Sequence, residues 1–379
     1  MDFELTEEQR MIQETARDFA DRELMPIAEQ VDETREAPLE KVKQLAELGF
    51  LGMLVPEEYG GTGLDDVCYV LAMEEIARGC ASTCVIMDVN NSLVCEPLRM
   101  FANEEQKQRI LAPLARGERL GAYCLTEPDA GSDAGSIKTR AVLDGDDYVL
   151  NGTKIFVTNG GFANDFLVFA NSDPEKGSRG ISAFIVPEDS GVKRGTREKT
   201  LGIRGSTTYE IIFEDVRVPR ENLIGEPGKG FKIAMEALDS GRIGIAAQAI
   251  GIARAAFLRA VEHAKTRQQF GRPIGSFQAI QWKLADMATK IEAAHMLTMR
   301  AAVLRQTGGD YVTASAMAKL YASRIAVEVA DEAIQVHGGY GYTQEYHVER
   351  HFRDAKITEL YEGTSEVQRL IIARRLMRD

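Results

Sequence analysis

Between Thr6 and about Gln30, apolar residues recur at helical spacing, with Met11, Ile12, Thr15 and Phe19 on one face behind a threonine placed to cap. Residues 38–49, 65–78 and 103–116 repeat that period, so the first third of the chain reads as helical. At Leu120 the pattern changes. Short β-prone runs at 121–125, 154–158, 166–169, 181–186 and 209–213, parted by Gly, Asp, Asn and Pro, predict an antiparallel β-domain, sandwich or barrel. After Gly225–Gly230 the helical period returns over 231–265, 276–306, 310–337 and 364–377, rich in Ala and Leu, which predicts a bundle of long antiparallel helices. The expected fold class is α+β multidomain: an N-terminal helical domain (1–119), a central antiparallel β-domain (120–227) and a C-terminal four-helix bundle (228–379).

Composition narrows the class. With 379 residues, 44% hydrophobic and 27% charged, the chain is long enough for two or three packed domains. A net charge of -13 repels phosphate backbones, so nucleic acid is excluded as a general partner and an anionic ligand needs a local basic patch. No run approaches the roughly 18 uninterrupted apolar residues of a membrane span, so no membrane partner is expected. The acidic start Met1–Glu8 does not resemble a secretory leader, and the cytoplasm is the expected location. Cys68, Cys80, Cys84, Cys95 and Cys124 are odd in number and form no C-x-x-C pair, which suits reduced thiols packed as small hydrophobes.

The familiar nucleotide and hydrolase signatures are missing: no Walker loop, no G-x-G-x-x-G joining strand to helix, no G-x-S-x-G elbow. His347 and His351 share an i, i+4 spacing, but the residues between them match neither zincin order, and no metal is expected. Three segments carry chemistry. Tyr123–Asp133 runs from a strand into a loop of small and hydroxyl residues, which also suits a capped turn. Arg267–Pro273 puts a guanidinium, an aromatic and a glycine at a helix end, a combination suited to pyrophosphate. In Tyr361–Glu366, a cap at Thr364 or Ser365 explains the last helix but not the Glu362–Gly363 placed before it.

In this order, inside a helical, β, helical chain, these segments resemble the acyl-CoA dehydrogenase family over essentially the full length. Asn151–Gly160, Gln335–Gly341 and Arg350–Asp354 add to the match, and the chain is most similar to short-chain, butyryl-CoA-type members. The resemblance implies FAD, an acyl-CoA substrate, electron-transferring flavoprotein as acceptor, and a homotetramer built as a dimer of dimers. It places Tyr123, Leu125, Thr126, Gly131, Ser132, Phe156, Val157 and Thr158 around the isoalloxazine. It assigns Arg267, Phe270 and Gln278, with Gln335, Val336, Gly338 and Gly339 of a neighbouring subunit, to the pyrophosphate and adenosine, and Thr364 and Glu366 to closure over the cofactor. Phe156 departs from the Trp many members carry.

The implied chemistry is α,β-dehydrogenation to a trans-2-enoyl-CoA, as in β-oxidation. Glu362 takes the α-proton, since a carboxylate in a dry pocket gains basicity, and a hydride leaves for flavin N5. Where some relatives place the base instead, this chain has Gly241. Ser132, Asp239, Arg242, Gln248, Gly363 and Asp88 fall on the substrate side, Gln248 either closing the pocket floor or bonding a neighbouring helix. Asp88 replaces the Ser usual in short-chain members. It either points into a polar network, the favoured reading, or acts on a branched or alicyclic acyl-CoA such as a cyclohexane or cyclohexene carboxyl thioester. The glutaryl reading is weaker, because Cys84 stands where an Arg would hold a distal carboxylate. The rival classes are a non-catalytic FAD-binding assembly or DNA-associated relative, and an oxidase or flavin monooxygenase on the same fold.

Overall fold

The computed structural model describes residues 4–377. The first helix, Glu7–Phe19, begins at a capping box: the Thr6 side chain accepts from the Gln9 N–H and the Gln9 side chain from the Thr6 N–H. Helices Leu39–Glu47 and Asp66–Gly79 follow the sequence pattern. The segment 81–101 lies in the third of the chain read as helical but shows no period of its own; it is helical throughout. Ala81–Asp88 and Glu96–Phe101 are α-helical and Val89–Cys95 between them is wound as a π-helix. Nearly all of it is buried, so it carries no polar face from which to read a period. Asn90 fixes the π segment by donating to the carbonyls of Leu51 and Leu114 and accepting from the Gly121 N–H.

The β-domain comprises β1 (Gly121–Cys124), β2 (Arg140–Asp144), β3 (Asp147–Val157), β4 (Asp165–Asn171), β5 (Ile181–Pro187), β6 (Lys193–Arg197), β7 (Tyr209–Pro219) and β8 (Leu223–Ile224). Their order is β6-β7-β3-β2-β4-β5-β8, with β1 paired to β4 off that path. The sheet is mostly antiparallel, and one correction applies: β1 runs parallel to β4, and β2 meets β4 in parallel at Arg140 and Asn171. An antiparallel partner follows a short hairpin, whereas β1 reaches β4 only after β2 and β3 have formed their own. The mostly exposed strands β2 and β6 lack the alternation that marks a half-buried strand.

The C-terminal region holds the four expected helices, at Gly230–Thr266, Gln278–Gln306, Val312–His337 and Ser365–Leu376, and an unpredicted fifth, Val348–Ile357. Gly230–Thr266 is long and apolar enough to cross a membrane by length and composition alone, but 78% of its most apolar window is buried inside the protein. It packs against Asp66–Gly79, Ala81–Asp88, β5, Gln278–Gln306 and Val312–His337, and so runs through the centre of the molecule. All five cysteines are buried and free.

Candidate functional site

Glu362 sits on the turn between Val348–Ile357 and Ser365–Leu376. Its backbone takes φ +50°, unusual for a residue with a side chain, and Gly363 follows at φ +91°. The turn is held from inside: Gln368 Nε2 donates to the Gly363 carbonyl at 2.8 Å and Lys319 Nζ to the same oxygen at 2.6 Å. Thr364 caps the last helix, accepting from the Val367 N–H, with Glu366 in its first turn. Among the described residues no acceptor takes the Glu362 N–H. Glu362 as a residue is half-buried, but its carboxylate Oε2 is shielded from solvent and has no donor.

Asp88, the last residue of the helix Ala81–Asp88, meets the long helix beside this carboxyl. Its Oδ1 accepts from Tyr69 Oη at 2.6 Å and Ser92 Oγ at 3.1 Å, while Oδ2 is buried and without a donor. One oxygen therefore lies in a polar network and the other does not. The two carboxyls meet the long helix three residues apart, at Gly244 and Gly241, and each influences the titration of the other. Burial, then the charge of Asp88, push Glu362 well above the usual carboxylate range, with Lys319 and Arg242 pulling the other way. Burial raises Asp88 to about 6, against the hydrogen bonds it receives. Lys319 is fully buried, and burial lowers it to about 7 although Glu362 favours its charge.

Two glycines of the long helix make room for this pair. A β-carbon on Gly241 would stand 2.1 Å from Glu362 Oε2, and one on Gly244 would stand 2.1 Å from Asp88 Oδ1. Gln248 lies one turn further along, fully buried, donating to the Ala81 carbonyl at 3.0 Å and accepting from Tyr361 Oη. It bonds a neighbouring helix and also props the residue before Glu362. Arg242 is buried, paired to Asp239, and its Nε finds no acceptor.

On the β-domain, Tyr123 donates its hydroxyl to the Ala234 carbonyl at 3.1 Å, tying β1 to the long helix. Leu125 and Val157 are buried, Thr126 and Thr158 half-buried, and Gly131 and Ser132 exposed. Phe156 takes φ +55° and leaves its side chain 61% exposed beside the buried Val157. Beneath this surface Lys154, fully buried, meets Glu127 Oε1 at 2.8 Å and the Leu125 carbonyl at 3.0 Å, and Glu127 also accepts from the N–H groups of Lys138 and Thr139. A groove of about 610 Å³ lined by Lys176, Arg179, Lys229 and Lys232 passes Ser178 and Phe231, which are neighbours of Gly135 in the same loop as Ser132.

At the far end of the long helix the Arg267 guanidinium lies 5.2 Å from the Tyr340 ring centroid and forms no ion pair among the described residues. Phe270 is 92% exposed, Gln278 and Gln335 are exposed and Val336 is buried. A β-carbon on Gly131, Gly338 or Gly339 would meet nothing within 4 Å. Open backbone, an unpaired guanidinium and outward-facing aromatics fit a large planar cofactor with an anionic tail. His347 lies 3.9 Å from Glu29, and buried His351 accepts from Arg259. The sequence reading missed Tyr69, Lys319, Gly244 and the Lys154–Glu127 pair. The signals available were a lone lysine in an Ala-rich helical run and two glycines three apart on an otherwise apolar helix.

Three domain families match the chain: "Acyl-CoA dehydrogenase, N-terminal domain" over residues 6–118, "middle domain" over 122–216 and "C-terminal domain" over 228–377. The chain is 51% identical to the short-chain specific acyl-CoA dehydrogenase of Clostridium acetobutylicum, with both sequences fully covered. The butyryl-CoA dehydrogenase structure from Megasphaera elsdenii superimposes at a TM-score of 0.98 with 47% identity and full coverage of both chains. A solved structure from work on the electron transferring flavoprotein of Acidaminococcus fermentans and flavin-based electron bifurcation gives a TM-score of 0.99 at 51% identity, again with both chains fully covered.

Proposed function

The chain belongs to the acyl-CoA dehydrogenase family, and on that premise we propose that it converts a short-chain acyl-CoA to the trans-2-enoyl-CoA with Glu362 as the base. It is an FAD-dependent oxidoreductase acting on acyl-CoA thioesters. The observation that carries the assignment of the base is the shielded Glu362 Oε2, a carboxylate oxygen without a donor at the end of a turn fixed by Gln368 and Lys319. FAD, when bound, supplies the acceptor for the hydride leaving Cβ. Thr126, Ser132, Phe156 and Thr158 would hold its ring, and Arg267, Phe270 and Gln278 its pyrophosphate and adenosine, with Gln335 to Gly339 contributed by a second copy.

Glu362 accepts the α-proton at an oxygen shielded from solvent, where a carboxylate is more basic than in solution. The unpaired Glu362 N–H donates to the thioester carbonyl and stabilises the enolate-like charge. Lys176, Arg179, Lys229 and Lys232 supply the local positive charge for the CoA phosphates that the overall balance lacks. The exposed aromatics Trp282 and Tyr342 suit burial against further copies in a homotetramer, and electron-transferring flavoprotein is the acceptor we assign. We place the protein in the cytoplasm and in β-oxidation.

Mixing the yellow protein anaerobically with straight, branched and cyclic acyl-CoAs tests the reading. The flavin is expected to bleach first with a short straight chain and to reoxidise slowly in air; no bleaching with any thioester overturns it, and fast air oxidation makes it an oxidase. A second reading rests on Asp88 Oδ2, which is buried without a donor near the base. In it Asp88 acts as an additional base on an alicyclic acyl-CoA, and preferential bleaching by a cyclic thioester selects it.

A further inference from the structure

We propose that Asp88 and Glu362 hold one proton between them in the substrate-free protein. Asp88 is then a positioning residue for the base, taking that proton when Glu362 is freed to accept the α-hydrogen. The proposal deepens the reading of Glu362 as base and rests on it.

Asp88 Oδ2 and Glu362 Oε2 are both buried and both lack a donor, and the two carboxyls press on the same helix three residues apart, at Gly244 and Gly241. Two ionised carboxylates so placed would each be left unsatisfied and would repel. One proton between them gives one oxygen a donor and the other an acceptor, and removes both defects at once. The site is shaped for two carboxyls, because a side chain at Gly241 would evict Glu362 and one at Gly244 would evict Asp88.

The pair is asymmetric. Asp88 Oδ1 is held by Tyr69 and Ser92, which favours charge on Asp88 and leaves the proton on Glu362 at rest. The titratable and charged groups around the pair are Tyr69 and Cys84 from the N-terminal helices, Tyr123 from β1, Arg242 from the long helix, Lys319 from Val312–His337 and Tyr361 from the turn. Arg242 and Lys319 favour a net negative pair. For the reaction, the proton on Glu362 Oε2 passes to Asp88 Oδ2, leaving the charge of the pair unchanged. The Glu362 carboxylate then takes the α-proton while the Cβ–H bond breaks and its electron pair leaves as hydride for the flavin. Both carboxyls end protonated, and one proton goes to solvent before the next turnover. Joint titration of such a pair belongs to both groups together.

The test uses the substrate-free holoenzyme and its rapid reduction by the best acyl-CoA. The infrared spectrum at neutral pH should contain a protonated-carboxyl band that disappears in E362Q, which removes the resting owner of the proton, and shifts in frequency in D88N, which removes its carboxylate acceptor. In D88N the acid limb of the flavin-reduction rate should move to lower pH by about one unit or more, a roughly tenfold faster rate on the limb, with the KM for thioester little changed. D88S, smaller and able to fill the site with water, should do the same if D88N folds poorly. A carboxyl band unchanged in frequency in D88N and D88S, or an acid limb that stays in place, overturns the proposal. Full turnover by E362Q would instead overturn the assignment of the base and leave the infrared result standing.

Discussion

The Gly241 Cα carries its hydrogen where any larger group would collide with Glu362: an added β-carbon would stand 2.1 Å from the carboxylate Oε2. Gly241→Ala should therefore fold and bind flavin while displacing the base. A misplacement of about 1 Å costs on the order of 10²-fold in rate, so flavin reduction should slow by about that factor. An unchanged rate would show that Glu362 reacts from a different rotamer.

Glu362→Gln keeps shape and removes basicity. It should retain FAD and acyl-CoA binding and lose roughly 10² to 10⁴ in turnover, as expected for a general base. Stopped-flow bleaching at near-normal speed would remove Glu362 from the reaction.

Lys319 makes stability depend on pH. Burial lowers its ammonium from 10.5 to about 7, so between those values the unfolded chain binds more protons than the folded one. Stability conferred through this group is then lowest below about 7, rises through that window and is fully restored above 10.5. Thermal melting of the wild type relative to Lys319→Met should improve steadily from neutral to alkaline pH. A flat difference would mean that Lys319 stays charged in the folded state.

The buried pair Lys154–Glu127 supports the backbone of Leu125 and the loop after Thr126. Removing one partner leaves a buried charge, at a typical cost of 3–5 kcal/mol. Lys154→Met should lower the melting midpoint and release flavin more readily, seen as loss of yellow colour on gel filtration. Retention of both would make the pair dispensable.

Gln248→Ala should strip the Ala81 carbonyl of its donor and Tyr361 of its acceptor. An unsatisfied buried group costs about 1–3 kcal/mol, and the freed volume should let a longer acyl chain enter. If the chain-length optimum does not move, Gln248 acts through Tyr361 and does not form the floor.

Much of this molecule was legible because its elements keep one face wet. Glu7–Phe19 and Leu39–Glu47 carry clear helical stripes, and the apolar strand β4 lies between turn residues. Residues 81–101 were hidden for the opposite reason: an all-buried helix has no period to read. Helix Val348–Ile357 is short and highly charged, and its residues were read as a histidine pair and as part of the family match but not as a helix. Glu362 was visible as a carboxylate that capping did not explain. What Asp88 does was not, because its two oxygens have different surroundings and only coordinates separate them.

The long helix Gly230–Thr266 extends about 55 Å at 1.5 Å per residue. Its apolar circumference is shared among the N-terminal helices, the β-domain and its own neighbours, and no one of them covers it alone. A fragment cut near residue 228 would expose the faces of Ala246, Ile250 and Ala253 that are buried in the intact chain. The long helix thus ties the three segments together, and an amide deep within it is expected to exchange its hydrogen only when the neighbours on all its sides open.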